Sequence, residues 1–228
     1  DTLIISVVDD YDKGNIIVDE ENGDDFIGNG TIKNPFKSID RALRSVESGD
    51  TIGLNEGNYT SLGVTYNKGV ILESLDENNF ATLEGQLNLL NDSRDISDII
   101  FRNISFDNIS ITTIGHDSLF VNNCNFNSLL NWESFSSNIQ INETEINNGS
   151  IVFDGSSSID IIDSDFYPDY ISLASDVVLL EGNSFSGEIA MSGNDFLSTS
   201  NNFSNGTSIS LSFLSTVNIN SSNLNSYN

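Results

Sequence analysis

The sequence is poor in cysteine, in basic residues and in long apolar runs, and each shortage excludes a class of protein. Cys124 is the only cysteine, so the chain forms no intramolecular disulfide, and we expect this thiol to fill a small space in the core or a turn. Against 34 Asp and Glu there are only 8 Lys and Arg, a net charge of −26. Such a charge disfavours binding to nucleic acid or to an anionic membrane surface. No apolar run reaches the roughly 18 residues of a membrane-spanning helix.

One short pattern recurs about every twenty residues from Ile99 to Leu224. Two apolar residues stand at alternate positions, a polar or small residue follows two positions later, and a large apolar residue comes three positions after that. The last apolar residues of the seven copies are spaced by 20, 20, 20, 19, 18 and 21 residues: Phe106, Phe126, Ile146, Phe166, Phe185, Phe203 and Leu224. Self-similarity at this period indicates a solenoid.

Each repeat has the pattern of a coil made of short strands. Apolar residues at alternate positions lie on one face of an extended strand. The polar or small position is always a residue typical of bends: Asn103, Asn123, Glu143, Asp163, Gly182, Ser200 and Ser221. A second inward strand follows in most copies, and β-branched residues and Phe dominate where a leucine-rich repeat would have Leu. The pattern predicts an all-β fold, a parallel β-helix solenoid with about nine rungs of roughly 20 residues.

The N-terminal part differs from the repeats. Two apolar stretches within residues 1–20 predict strands, and a stretch rich in Gly, Asp and Asn over residues 22–34 predicts a loop. Apolar residues at helical spacing then predict one helix that caps the first rung: Ile39, Ala42, Leu43 and Val46. We therefore expect residues 1–50 to form strands, loop and capping helix, and residues 51–228 to form the rungs of the same continuous domain. Because Asp1 is not a Met, we expect the sequence to be a piece of a longer protein. Because the last rung has no cap, we expect the chain to continue after residue 228 or to pair at that end with another copy.

The segment from Asn22 to Thr60 carries a more specific signature. It reads NGDDFIGNGTIKNPFKSIDRALRSVESGDTIGLNEGNYT, with a Gly-Thr-x-x-Asn-Pro-Phe turn, the predicted helix, and a Gly-Asp-Thr-Ile strand that leads to Gly-x-Tyr. This resembles the opening of the right-handed parallel β-helix, pectate-lyase-like superfamily. With the Asn- and Ser-rich rungs, the chain is most similar to adhesin-like surface proteins of methanogenic archaea. That superfamily includes lyases, hydrolases, epimerases and non-catalytic adhesins, so the resemblance implies the fold more firmly than the activity.

The enzymes of this superfamily act on acidic polysaccharides, and the resemblance implies which residues they would need. A lyase commonly uses an Arg or Lys base, often with calcium, yet Arg102 is the last basic residue apart from His116. A body with a net charge of −26 also repels a polyanionic substrate. His116 lies in the turn-like stretch Gly115-His116-Asp117, where we expect a solvated side chain without a catalytic role.

Carboxylates form the best candidate site. Four of them align between two neighbouring copies, Glu143 and Glu145 in one and Asp163 and Asp165 in the next. A parallel register places equivalent residues about 4.8 Å apart. Such a group could serve glycosidase chemistry or hold calcium, but solvated turn residues are the favoured interpretation. A second calcium candidate is the pair Asp24 and Asp25 in the loop before the helix. No other cofactor is expected.

Aromatic residues in the connecting segments are candidates for binding sugar rings. They occur in two copies that are two rungs apart: Trp132, Phe135, Tyr167 and Tyr170. Exposed aromatic rings on one side of a solenoid can stack on the apolar face of a sugar. Packing of at least two of these side chains in the core is the favoured alternative.

Taken together, the sequence favours a non-catalytic, extracellular adhesin-like module that attaches to a cell surface, a host or microbial partner, or a glycan. The alternative is a polysaccharide-active enzyme, a lyase or a glycoside hydrolase, that uses the aligned carboxylates. An enzyme needs a groove walled by loops with convergent polar groups. The short and even repeat spacing leaves little chain for such walls, which favours the adhesin.

Overall fold

The computed structural model describes residues 15–91, 97–204, 207–220 and 223–224. Over these residues the chain forms one short helix and 19 strands that join in one sheet. In chain order the elements are β1 (Asn15–Val18), α1 (Ile39–Ser45), β2 (Thr51–Leu54), β3 (Asn58–Tyr66), β4 (Ile71–Ser74), β5 (Ala81–Leu90), β6 (Asp98–Arg102), β7 (Ile104–Ile114), β8 (Ser118–Asn122), β9 (Asn125–Phe135), β10 (Asn138–Asn142), β11 (Glu145–Asn147), β12 (Ser150–Ile162), β13 (Asp165–Tyr167), β14 (Tyr170–Glu181), β15 (Ser184–Phe185), β16 (Glu188–Thr199), β17 (Asn202–Phe203), β18 (Ser208–Asn220) and β19 (Asn223–Leu224).

The sheet is wound into a parallel β-helix of about eight turns, close to the nine rungs that the repeat predicted. Every paired strand is parallel to its partner, and the partner lies one turn away along the chain. The coil has three faces. Face A contains β1, β2, β4, β6, β8, β10 and the last residues of β12, β14, β16 and β18. Face B contains the first residues of β3, β5, β7 and β9, and then β11, β13, β15, β17 and β19. Face C contains the last residues of β3, β5, β7 and β9 and the first residues of β12, β14, β16 and β18.

Apolar columns that run along the coil form its core. In face A one such column is in register over eight turns and fully buried: Ile16, Ile52, Leu72, Phe101, Val121, Ile141, Ile161 and Leu180. A single strand cannot bury one face alone, so each turn covers the apolar surface of its neighbour. The alternating pattern of the sequence therefore specifies both the strands and the core.

The bend predicted after each face A strand is confirmed in the described residues. Its residues have a positive φ in six successive turns: 56° at Asn103, 50° at Asn123, 48° at Glu143, 47° at Asp163, 70° at Gly182 and 57° at Ser200. Gly, Asn and Asp adopt this left-handed conformation most readily, which explains most of the residue choices. Ser221 lies outside the described residues.

The predicted helix is present and lies at the N-terminal end of the coil. Ser38 caps it by accepting a hydrogen bond from the backbone N–H of Arg41. Its apolar side, which includes Ile39 and Leu43, is buried, and α1 packs against β1 and β3. The buried carboxylate of Asp40 accepts hydrogen bonds from the hydroxyl of Tyr66 at 2.7 Å and from a backbone N–H of β3. The predicted strand over residues 3–8 lies outside the described residues.

Candidate functional site

The acidic candidates lie at the corner between faces A and B and on face B. Glu145 in β11 and Asp165 in β13 are direct neighbours in the parallel register, as the repeat predicted. Glu143 and Asp163 are the left-handed bend residues of the same two turns. All four side chains are exposed. The structure thus brings the four carboxylates onto one edge of the coil.

These carboxylates do not converge into a pocket. Among the described residues, no group of three or more His, Cys, Asp or Glu side chains is placed to hold a metal ion. The neighbours of Glu145 and Asp165 in the same column are polar and uncharged: Asn125 on one side and Ser184 on the other. Calcium binding by this cluster therefore stays a prediction.

The second acidic pair holds the loop before α1 in shape. Asp24 accepts hydrogen bonds from two backbone N–H groups of its own turn at 2.7 and 3.0 Å, and these bonds lower the pKa of its carboxyl. Asp25 accepts from the backbone N–H of Lys37 at 2.9 Å and from the hydroxyl of Ser38 at 2.6 Å. Asp24 thus holds its own turn in shape, and Asp25 docks the loop onto the start of the helix.

The prediction that Trp132 is available to stack on a sugar is wrong. Trp132 is fully buried and packs between Phe126, whose ring centroid is 5.0 Å away, and Phe153, at 5.2 Å. The reason lies in the register, because Trp132 pairs with Ile111 and Ile151 and so occupies an inward column of face C. Two core aromatics and the sheet therefore enclose it.

The other three aromatic candidates reach solvent but do not form one platform. Phe135 is 39% exposed at the end of β9, and Tyr167 is 40% exposed at the end of β13. Tyr170 is half-buried and starts β14. Because the strands of face C are parallel, their first residues and their last residues lie along opposite edges of the face. Phe135 is therefore separated from Tyr167 and Tyr170 by the width of face C.

His116 is buried, so the expectation of a solvated turn histidine is wrong. Its Nε2 lies 3.1 Å from the backbone oxygen of Leu89, and its Nδ1 lies 3.0 Å from the hydroxyl of Ser97. A carbonyl only accepts, so Nε2 carries the proton of the neutral ring and Nδ1 accepts from the serine. The Ser97 hydroxyl also accepts a hydrogen bond from Asn91 at 2.7 Å. The network joins three segments of the chain and is enclosed in the protein.

Protonation of His116 should destabilise the fold. Burial lowers the pKa of this imidazole below its usual 6.5, against the opposing effects of the Leu89 hydrogen bond and of the carboxylates of Asp117 and Asp98. Because the unfolded chain binds the proton more tightly, the free energy of unfolding should fall as the pH drops through 6.5 and level off below the folded pKa. Urea denaturation at about pH 7.5 and 5.5 measures this loss, and the His116→Gln variant should lose less. Equal pH dependence of the two proteins would contradict the prediction.

A buried polar ladder at the corner between faces A and B escaped the sequence reasoning. Each backbone N–H donates to a side chain one turn further on: Cys124 to Thr144 at 3.4 Å, Thr144 to Ser164 at 3.1 Å, Ser164 to Asn183 at 2.9 Å and Asn183 to Asn201 at 2.9 Å. These are the residues directly after the left-handed bends, so a column of small or polar residues at that position was the available signal.

The thiol of Cys124, the first residue of this ladder, is buried. Burial raises the pKa of the Cys124 thiol to about 12, in agreement with a filler and not a nucleophile.

Outward-facing side chains also form ladders, on the solvent side of faces A and B. Amide groups donate to a residue one turn earlier. Asn123 donates to Asn103 at 2.9 Å and Asn142 to Asn122 at 3.0 Å, between equivalent positions, and Asn127 donates to Ser105 at 2.8 Å beside a register shift. The hydroxyl of Ser158 donates to Asn138 at 3.3 Å. Each of these hydrogen bonds joins two neighbouring turns and holds the two side chains that take part.

Comparison with known proteins adds no relationship beyond the fold. No family model, no curated protein sequence and no solved structure matches this chain. No helix within the described ranges is long and apolar enough to cross a membrane. The structure shows an all-β parallel β-helix. A relationship to the pectate-lyase-like superfamily or to archaeal adhesin-like proteins belongs with the proposals below.

Proposed function

We propose that this β-helix is a non-catalytic attachment module, adhesin-like in role, that presents its outer surface to another cell or to a surface glycan. The observation that carries the proposal is the set of outward amide and hydroxyl ladders along faces A and B. Polar side chains that are in register on successive turns can contact one partner at several points, and such multivalency raises the overall affinity. The proposal includes an extracellular, cell-surface location and kinship with adhesin-like proteins of the pectate-lyase-like superfamily.

The connections of the coil support attachment over catalysis. From β8 to β17 every segment between successive strands is two residues long. Catalytic grooves need longer loops that wall a cleft and bring polar groups together. This part of the coil therefore has no long connection that could wall a catalytic cleft.

One observation favours the alternative, a polysaccharide-active enzyme. Glu145 and Asp165 are neighbours in the register, at the separation of adjacent strands, about 4.8 Å between backbones. Retaining glycosidases use two carboxyl groups roughly 5 Å apart. The exposed position of both side chains on face B leaves them without the enclosing walls that such a site has.

A binding screen combined with a turnover assay separates the two functions. We expect the labelled chain to bind whole cells or arrayed glycans in a saturable way, and to release no reducing or unsaturated sugar ends from polysaccharides. The double variant Glu145→Gln, Asp165→Asn serves as the control and should bind as the unaltered chain does. Turnover by the unaltered chain that this variant loses would establish the enzyme instead. Absence of any binding would overturn the attachment proposal.

A further inference from the structure

The solvent side of face A carries a central column that is largely apolar. The column is in register over seven turns: Ile71, Ile100, Phe120, Gln140, Asp160, Leu179 and Leu197. These residues alternate with the inward core residues, so they point outward, and their side chains are half-buried or exposed. Phe120 is the one aromatic residue among them. An apolar row at the centre of an outer sheet face does not contribute to the core of this coil.

The turns around Phe120 combine this apolar row with uncharged polar rows on both sides. We name as the Phe120 platform the following residues: Ile100, Phe120, Gln140, Ser118, Asn138, Asn122 and Asn142. The amide of Asn142 donates to that of Asn122 at 3.0 Å, so this row is held in place before any partner binds. The platform thus offers apolar surface in the middle and hydrogen-bonding groups at the edges.

Charge distinguishes the platform from most of the protein. The chain has a net charge of −26, yet no platform residue is charged. On one side the platform borders two charged residues of β6: Asp98, which is in register with Ser118, and Arg102, which forms an ion pair with Glu73 at 3.5 Å. On the other side is Asp160, which follows Gln140 in the same column and whose side chain is half-buried. The platform residues offer no charge to pair with an ionic group, and the net charge of −26 disfavours an anion, so a neutral partner fits best.

The backbone pairing of the sheet and the net charge of the chain favour a polysaccharide over an extended peptide or a second copy of the chain. β8 pairs with β6 on one side and with β10 on the other, so its backbone groups are used within the sheet. An extended peptide on this face would find no backbone partners for its own N–H and C=O groups, which strand addition requires. A second copy would bring another net charge of −26 against the first.

We propose that the Phe120 platform binds a neutral, extended polysaccharide. The apolar faces of its sugar rings pack on Phe120 and Ile100, and its hydroxyl groups exchange hydrogen bonds with Asn122, Asn142 and Asn138. Because the strands of face A are stacked about 4.8 Å apart, one extended sugar chain can reach the platform side chains of successive turns. This inference rests on the proposed attachment function and names its partner and its surface.

Calorimetry with neutral oligosaccharides (glucan, mannan, xylan and chitin fragments) and with oligogalacturonate as the acidic counterpart tests the proposal. The unaltered chain should bind at least one neutral oligosaccharide and bind oligogalacturonate more weakly. Phe120→Ala should weaken the neutral interaction about tenfold or more, as loss of a central aromatic contact does. The matched control is Phe135→Ala, which removes a 39% exposed ring from another face and should leave the affinity unchanged.

A second variant guards against misfolding, and the outcomes separate the two proposals. The double variant Asn122→Ala, Asn142→Ala leaves the aromatic ring in place and should also weaken binding; circular dichroism checks that both variants fold. If the chain binds cells or glycans but neither variant changes the affinity, the platform is wrong while the attachment function stands. Preference for oligogalacturonate would likewise overturn the platform. Absence of binding to every cell and glycan overturns the attachment function and the platform with it.

Discussion

Replacing Trp132 by alanine should lower the free energy of unfolding by about 3–5 kcal/mol, the range for a buried large aromatic side chain. Trp132 is fully buried, and its ring contacts Phe101, Phe126 and Phe153 from three successive turns, with centroids 6.2, 5.0 and 5.2 Å away. Its removal leaves a cavity that the rigid sheets on both sides cannot close. The buried hydroxyl of Thr113 also loses the hydrogen bond that the indole N–H donates to it.

Urea denaturation followed by circular dichroism measures this change. Phe135→Ala is the matched control, because it removes a 39% exposed aromatic side chain only three positions further along β9. Its effect should stay near the 0.5 kcal/mol typical of surface substitutions or slightly above it. If the two variants lost the same stability, the inward position of Trp132 would be contradicted.

The fold could be predicted because each turn repeats the same local physics. Residues such as Ile139 and Ile141 alternate with polar ones, and the bend that follows has a residue that tolerates a positive φ. The strand and the bend are local features of each copy, and their recurrence in the next copy shows the period. The helix was readable for the same reason, since Ile39 and Leu43 lie on one side of it.

The environments of single side chains could not be predicted in the same way. His116 is buried against Leu89 and Ser97, which lie 27 and 19 residues earlier in the chain, so no local pattern around His116 indicates these contacts. Trp132 breaks the simple alternation of its strand, where the register shifts between β7 and β9, and so its inward direction was missed. Phe120 stands between two core residues and was readable as outward, but its importance depends on which residues lie beside it on the neighbouring turns.

These differences bear directly on where function can lie. Every connection from β8 to β17 is two residues long, so no loop in this part of the coil can build a cleft. Side chains gain their environment from the turns above and below, through the register. A functional surface on such a coil is therefore a set of aligned rows, like the Phe120 platform, and single conspicuous residues such as Trp132 or His116 belong to the interior.

The second large loss of stability is expected when Asn183, in the buried polar ladder, is replaced by alanine. The buried side chain of Asn183 accepts from the N–H of Ser164 at 2.9 Å and donates to the carbonyl of Ile161 at 2.7 Å and to Asn201 at 2.9 Å. Alanine removes the partner of the Ser164 N–H and of the Ile161 carbonyl, at a cost of about 1–3 kcal/mol for each unsatisfied group, whereas Asn201 still accepts from the backbone N–H at position 183. We expect a loss of about 2–4 kcal/mol in the free energy of unfolding.

Two further variants decide whether hydrogen bonding or volume causes that loss. Asn183→Ser should recover part of the stability, because Ser164 shows how a hydroxyl serves this position. Its hydroxyl accepts from the N–H of Thr144, one turn earlier, at 3.1 Å and donates to the carbonyl of Ile162 at 2.8 Å. Asn202→Ala removes an exposed amide from face B and should change the stability by less than about 0.5 kcal/mol. Denaturation curves of all three proteins give the comparison. If serine proved no better than alanine at position 183, the ladder would not be held by these hydrogen bonds.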